Sequence, residues 1–226
     1  GGLAGWADVL SNCRFSGNSA EYGGGMLGGG DLTNCIFVDN SAVGVGGAIA
    51  DFDSGFTLVE CTFRRNSAGD EGGAVYVCDT ADDARFVGCI LEENSADKSG
   101  GGICVYQCEA ELIDCILRGN SANQGGAVAN KDSYCRLTEC SVTGNWALAS
   151  GGAVWNWGSM VMTNCSIIDN LAEQGGGVCN SYSELTLTNC RLTGNRALQS
   201  GGGLWNICSD LYLPNCTFAG NSAGVG

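Results

Sequence analysis

The chain repeats itself about every 25 residues, and that period decides most of what it can become. Cysteine marks it: Cys13, Cys35, Cys61, Cys89, Cys115, Cys140, Cys165, Cys190 and Cys216 follow one another at steps of 22, 26, 28, 26, 25, 25, 25 and 26 residues. Five residues after each stands asparagine: Asn18, Asn40, Asn66, Asn94, Asn120, Asn145, Asn170, Asn195 and Asn221. Two further on comes alanine, from Ala20 to Ala223. Two or three glycines then lead into Ile49, Val75, Ile103, Val128, Val154, Val178 or Leu204. Nine copies cover residues 1–226, so the chain reads as one repeat domain without a linker. Both ends fall inside a phrase, which reads as a fragment of a longer chain.

The unit is built of strands. An apolar residue sits three before each cysteine (Leu10, Leu32, Leu58, Phe86, Leu112, Leu137, Met162, Leu187, Leu213) and another two after it (Phe15, Phe37, Phe63, Leu91, Leu117, Val142, Ile167, Leu192, Phe218). Stretches such as LTLTNCRL at 185–192 alternate with period two, and glycine and asparagine punctuate them. Leucine-rich repeats share the length but need a helix, and propeller blades need longer units. The period therefore predicts an all-β fold: a single-stranded parallel β-helix of about nine coils of roughly 25 residues. Coils stack about 4.8 Å apart, so equivalent residues form columns. The apolar columns make the core. The alanine column suits a narrow place. The asparagine column suits a bend, where the amide bonds to the backbone and to the asparagines above and below.

Charge removes several functions. Asp and Glu number 24 against 10 Lys and Arg, a net charge of −14, and histidine is absent. Nothing could neutralise a run of phosphates, which excludes nucleic acid. The same charge opposes docking on anionic lipid, and no apolar run approaches a membrane span, so direct membrane insertion is not expected.

The 15 cysteines divide. The nine of the column read as small buried hydrophobes, and so does Cys135, in line with Met160 and Leu185. Cys78, Cys104, Cys108, Cys179 and Cys208 lie where the copies differ most. Disulfides are expected among the first three and between the last two, which favours an extracellular setting. Metal sites want closer spacing than CVYQC at 104–108, and no histidine can help, so none is expected there.

A catalytic site should break the repeat. The acids of IADFDSG (Asp51, Asp53) and CDTADDARF (Asp79, Asp82, Asp83) could meet on adjacent coils, as acid/base or calcium-binding groups. Acidic loops on a soluble rod explain them as well. The reading is no enzyme and no cofactor, with Asp51, Asp53 and Asp79 kept as weak calcium candidates. The aromatics are more suggestive. If Ile49 and its equivalents point inward, alternation sends Tyr76, Trp155, Trp157 and Trp205 outward as a contact strip, unless a loop folds over them. Asn164 and Asn215 begin glycosylation patterns, Asn-Cys-Ser and Asn-Cys-Thr.

FSGNSAEYGGG, FVDNSAVGVGGAI, FRRNSAGDEGGAV and FAGNSAG resemble the paired FxxN and GGA(I/L/V) motifs of polymorphic outer-membrane protein repeats and related β-helix surface proteins. Phe15, Phe37, Phe63 and Phe218, with Asn18, Asn40, Asn66 and Asn221, match the first motif. Gly46–Ile49, Gly72–Val75, Gly125–Val128 and Gly151–Val154 match the second. The chain departs by carrying a cysteine in every coil and no membrane-barrel segment. The resemblance implies a right-handed helix and display at a cell surface or outside the cell. It also implies a structural or adhesive role toward other proteins of a surface assembly. Glycans are the alternative partner, through a carbohydrate-binding or carbohydrate-active helix.

Overall fold

Each coil is three short strand faces, joined by two-residue corners at the cysteine and asparagine columns and by a longer glycine-rich corner. The computed structural model describes residues 1–5, 7–53, 55–79 and 83–224. In the fourth coil the first face runs through Val75–Cys78 and, past a bend, Ala84–Val87. Ile90–Glu92 forms the second face and Ser95–Ala96 the third. Stacking makes one sheet of 16 strands and two of nine. Registers are parallel and in phase with the repeat: Val75 lies between Ile49 and Ile103, Phe63 between Phe37 and Leu91, and Ala68 between Ala42 and Ala96. Thr138, Thr163 and Thr188 pair in series, as do Ser141, Ser166 and Arg191, which sets Cys140, Cys165 and Cys190 one above another. This is the expected parallel β-helix. Among the described residues no helix is long and apolar enough to cross a membrane.

The core is the interior of the stack. Leu58, Phe63, Val75, Phe86, Leu91, Leu112 and Leu137 are wholly buried, each worth about 1.5–3 kcal/mol of transfer free energy. Phe15, Phe37 and Phe63 stack face to face, with centroids 4.6 and 5.0 Å apart. Between the second and third faces runs the asparagine column. The Asn145 carbonyl oxygen accepts from both the backbone and the side-chain nitrogen of Asn120, at 2.9 and 3.0 Å. Its own amide donates to Asn170 and to the Leu117 carbonyl. The same pattern links Asn18 to Asn40, Asn66, Asn94 and onward to Asn221. The corner's backbone and amide groups are thus paired without water, as a buried bend requires.

The corners explain where glycine is obligatory. Residues just before the cysteines and just before the asparagines sit in the left-handed region, among them Glu60, Asp114, Asn164, Asp39 and Gly144. A Cβ at Gly144 would meet nothing, so polar residues can replace glycine there. At the glycine corner Gly151 has φ 68°, and a Cβ would run into the Val154 carbonyl. Only glycine fits.

The expected disulfides do not form: none of the fifteen cysteines is bonded to another. The reason is the stacking itself. Cys78 lies over Tyr106 and Cys104 over Tyr76, so the two are staggered. Cys108 belongs to the interior core, whereas Cys104 packs in a separate outer cluster on the opposite side of the sheet. Cys179 lies under Trp205, and Cys208 is exposed at the bend beyond it. Within the main column the thiols turn to backbone carbonyls, Cys140 to Leu112 and Thr138 at 3.4 Å each. Reduced thiols give no argument for an oxidising compartment.

Candidate functional site

The outer side of the glycine corner carries the side chains that depart from the repeat. Val154 points inward and is wholly buried, so Trp155 points out, Asn156 in and Trp157 out. Trp155 is half-buried against the outer cluster of Tyr76, Cys78, Cys104 and Ala129, and Trp157 is 43% exposed. The two indoles lie 6.1 Å apart. Trp205 stands two coils on from Trp155, with Cys179 between them. Tyr76 is 7% exposed and three coils away, closed into the outer cluster. The structure therefore brings Trp155 and Trp157 together, keeps Trp205 on the same line and withdraws Tyr76.

An ion pair borders the indoles. Lys131, directly beside Trp157 in register, lies over the Tyr106 ring at 5.2 Å and pairs with Glu71 at 2.6 Å. Partial burial opposes the Lys131 charge, but the Glu71 carboxylate outweighs it and holds the ammonium above its ordinary value. Cys104 approaches the same carboxylate at 3.7 Å, and burial holds its thiol well above the ordinary range. It is a packed neutral group, not a nucleophile.

Asp51 and Asp53 line one open cavity, and Asp79 is not part of it. Asp51 is buried on the inner side of its strand, while Asp53 and Asp79 are exposed. Asp79 accepts from the Cys78 thiol at 3.2 Å. Asp82 lies outside the described residues. Among the described residues no group of three His, Cys, Asp or Glu could hold a metal ion. Asn164 and Asn215 stand at the same corner, two coils apart.

Sequence reasoning missed a second buried ladder. Asn130, Asn156, Asn180 and Asn206 occupy one inward column, linked amide to amide at 2.7 Å. They brace the bend in the first face, where Asn130 also donates to the Ser133 and Ser159 carbonyls. It missed the other bend residues too. Asp132, Tyr134, Gly158, Tyr182 and Glu184 line, with the expected Trp157, an open cleft of about 460 Å³. The signal was legible: Asn156 to Met160 is one residue shorter than Asn130 to Cys135 or Asn180 to Leu185, although those pairs are in register.

The matching family model is the right-handed β-helix region, over residues 5–132 and 77–226. The chain belongs to that family. As a right-handed β-helix it obeys the usual hand of parallel strand connections. No curated protein matches it. Among solved structures it is similar to a trypsin-treated variant of QnrB1, a plasmid-mediated fluoroquinolone resistance protein, at 15% identity over 93% of this chain and 91% of that one. The TM-score of 0.24 is too low to carry anything about function.

Proposed function

We propose that this β-helix is a non-enzymatic structural or adhesive rod, displayed outside the cell or at its surface, that contacts other proteins of an assembly. The observation that carries the reading is the Trp155–Trp157 pair, with Trp157 exposed and Trp155 half-buried against the outer cluster. Exposed indoles offer large area at small entropic cost and concentrate at contact sites. The Asn ladder fixes their backbone, so little order has to be imposed on binding. The FxxN and GGA(I/L/V) motifs, which resemble those of surface-displayed repeats, support the location. A carbohydrate-binding reading draws on the same indoles, whose faces can stack on sugar rings. A carbohydrate-active reading would need Asp79 beside Asp51 and Asp53, and it lies outside the cavity that those two line.

The test is surface plasmon resonance of the purified chain against fractionated surface proteins of the source cell, beside a glycan array. The paired variant W155S/W157S should bind its protein partner at least about tenfold more weakly. Undiminished protein binding by that variant would sink the contact strip. Glycan binding without protein binding would replace the reading by its alternative.

A further inference from the structure

The cleft at the bend of the seventh coil has a definite origin. The coils before and after it carry an extra residue there, at Asp132 and at Tyr182, both in the left-handed conformation. The seventh coil passes directly from Trp157 through Gly158 to Ser159, and its register against the sixth slips at that place. The short coil leaves a notch between two projecting ones, whose backbones are two stacking steps, roughly 10 Å, apart. Gly158 forms the floor: a Cβ there would strike the Ser133 backbone. Trp157 and Tyr182 are exposed beside it, and the two flanking coils contribute Asp132 and Glu184, the latter accepting from the Ser159 hydroxyl at 3.4 Å.

The chemistry of the notch is one-sided. None of its lining residues is basic, and among the described residues neither Asp132 nor Glu184 takes part in an ion pair. Elsewhere on this face the molecule sets aromatic rings and carboxylates around a cation of its own. Lys131 lies over Tyr106 and pairs with Glu71. Arg136 lies over Tyr134 at 5.5 Å and pairs with Glu111 at 3.4 Å. Tyr134 also lines the notch, but the Arg136 over its ring is engaged by Glu111 and the Lys131 beside Trp157 by Glu71, so the notch carboxylates Asp132 and Glu184 are left without a cation among the described residues. Indole is the best aromatic partner for a cation, and two carboxylates from the two flanking coils suit a planar guanidinium that donates from both edges. A rod of net charge −14 also steers basic partners toward itself.

We infer that the notch between the sixth and eighth coils receives one basic side chain, a guanidinium, presented by the partner protein. The inference rests on the adhesive reading and names the chemistry of its partner. The occupant stacks on Trp157 while Asp132 and Glu184 accept its N–H groups; no bond is made or broken.

The test follows the Gly158 amide and the Trp157 indole N–H by NMR in the full chain. The probes are a short peptide with one central arginine and the same peptide with citrulline, which keeps the shape and removes the charge. The arginine peptide should shift both resonances and bind about tenfold or more tightly than its citrulline twin, with the margin shrinking at high salt. D132N/E184Q, isosteric and at exposed positions, should erase the margin while leaving the spectrum of the core unchanged. Equal binding of the two peptides, no shift with either, or an undiminished margin in D132N/E184Q would each overturn the inference. So would a neutral trisaccharide that shifts the same resonances when the arginine peptide does not. A chain that holds its protein partner equally well with D132N/E184Q, but loses it with W155S/W157S, refutes the notch and leaves the adhesive reading standing. A wild-type chain that binds no surface protein refutes that reading itself.

Discussion

Coils two to five and coils six to nine are built on one plan, yet they handle the bend in the first face differently. Two residues past the glycine-corner aliphatic, coils four and five place Val77 and Val105, with Asp51 of coil three in the same column; the later coils place Asn130, Asn156, Asn180 and Asn206. All of these but Asn206 are buried. In the later coils the amides bond across the bend; in coils six and seven the two halves of the face join into single strands, Val128–Thr138 and Val154–Thr163, while coils eight and nine stay broken, as Val178–Ser181 and Glu184–Thr188 and as Leu204–Ile207 and Asp210–Tyr212. In the earlier coils the face stays broken, as Val75–Cys78 and Ala84–Val87 or Ile103–Tyr106 and Glu109–Ile113. Outside, the earlier coils carry ion-pair ladders: Arg64, Glu92 and Arg118 on the second face, Arg85 and Glu111 on the first. The later coils carry the indoles. A position may thus hold valine or asparagine if the whole neighbourhood agrees, because a buried amide is tolerable only beside another amide or a free carbonyl.

The comparison breaks first at the ladder that both halves share. No coil replaces its asparagine, and N145V strands the Asn120 N–H groups, the Asn170 oxygen and the Leu117 carbonyl. Urea unfolding should show a loss of about 3 kcal/mol or more, or failure to fold. The second ladder should be weaker because valine already fits its column. N156V interrupts it in the middle, leaving the Asn180 oxygen with the Ser183 hydroxyl alone and removing the side-chain acceptor of the Asn130 amide, and should cost about 2 kcal/mol. N130V removes an end whose oxygen has no hydrogen-bond partner among the described residues, and should cost about 1 kcal/mol. A cost for N156V equal to that of N145V would mean that the two ladders are equivalent and that the contrast between halves is superficial.

Alkali should sharpen it next. Burial raises the Cys135 thiol of the sixth coil from 9.0 to about 12. The folded state therefore prefers the neutral thiol. That contribution is intact below about pH 9 and drains away as pH rises toward 12. The melting temperature of the wild type should fall more steeply above pH 9 than that of C135A. Parallel curves would remove Cys135 from the account. The smallest effect belongs to the surface of the earlier coils. E92Q cuts the link between Arg64 and Arg118 and should cost roughly 0.5 kcal/mol, vanishing at high salt.

The period alone determined that Cys140, Cys165 and Cys190 would sit over one another, that Leu58 and Phe86 would face inward, and that all-β coils would stack into a β-helix. Those features depend on what each copy shares, and sharing is visible in one dimension. The tertiary structure alone decided the fate of the thiols, which of the aromatics remain open, and the notch at Gly158. Each of these depends on how neighbouring coils differ. Cys104 and Cys108 are four residues apart but lie on opposite sides of one sheet. Asp132 and Glu184 line one cleft because the coil between them is one residue short. A one-residue difference barely disturbs a repeat, yet it displaces a side chain across a bend, where distance to the next coil decides whether two groups meet.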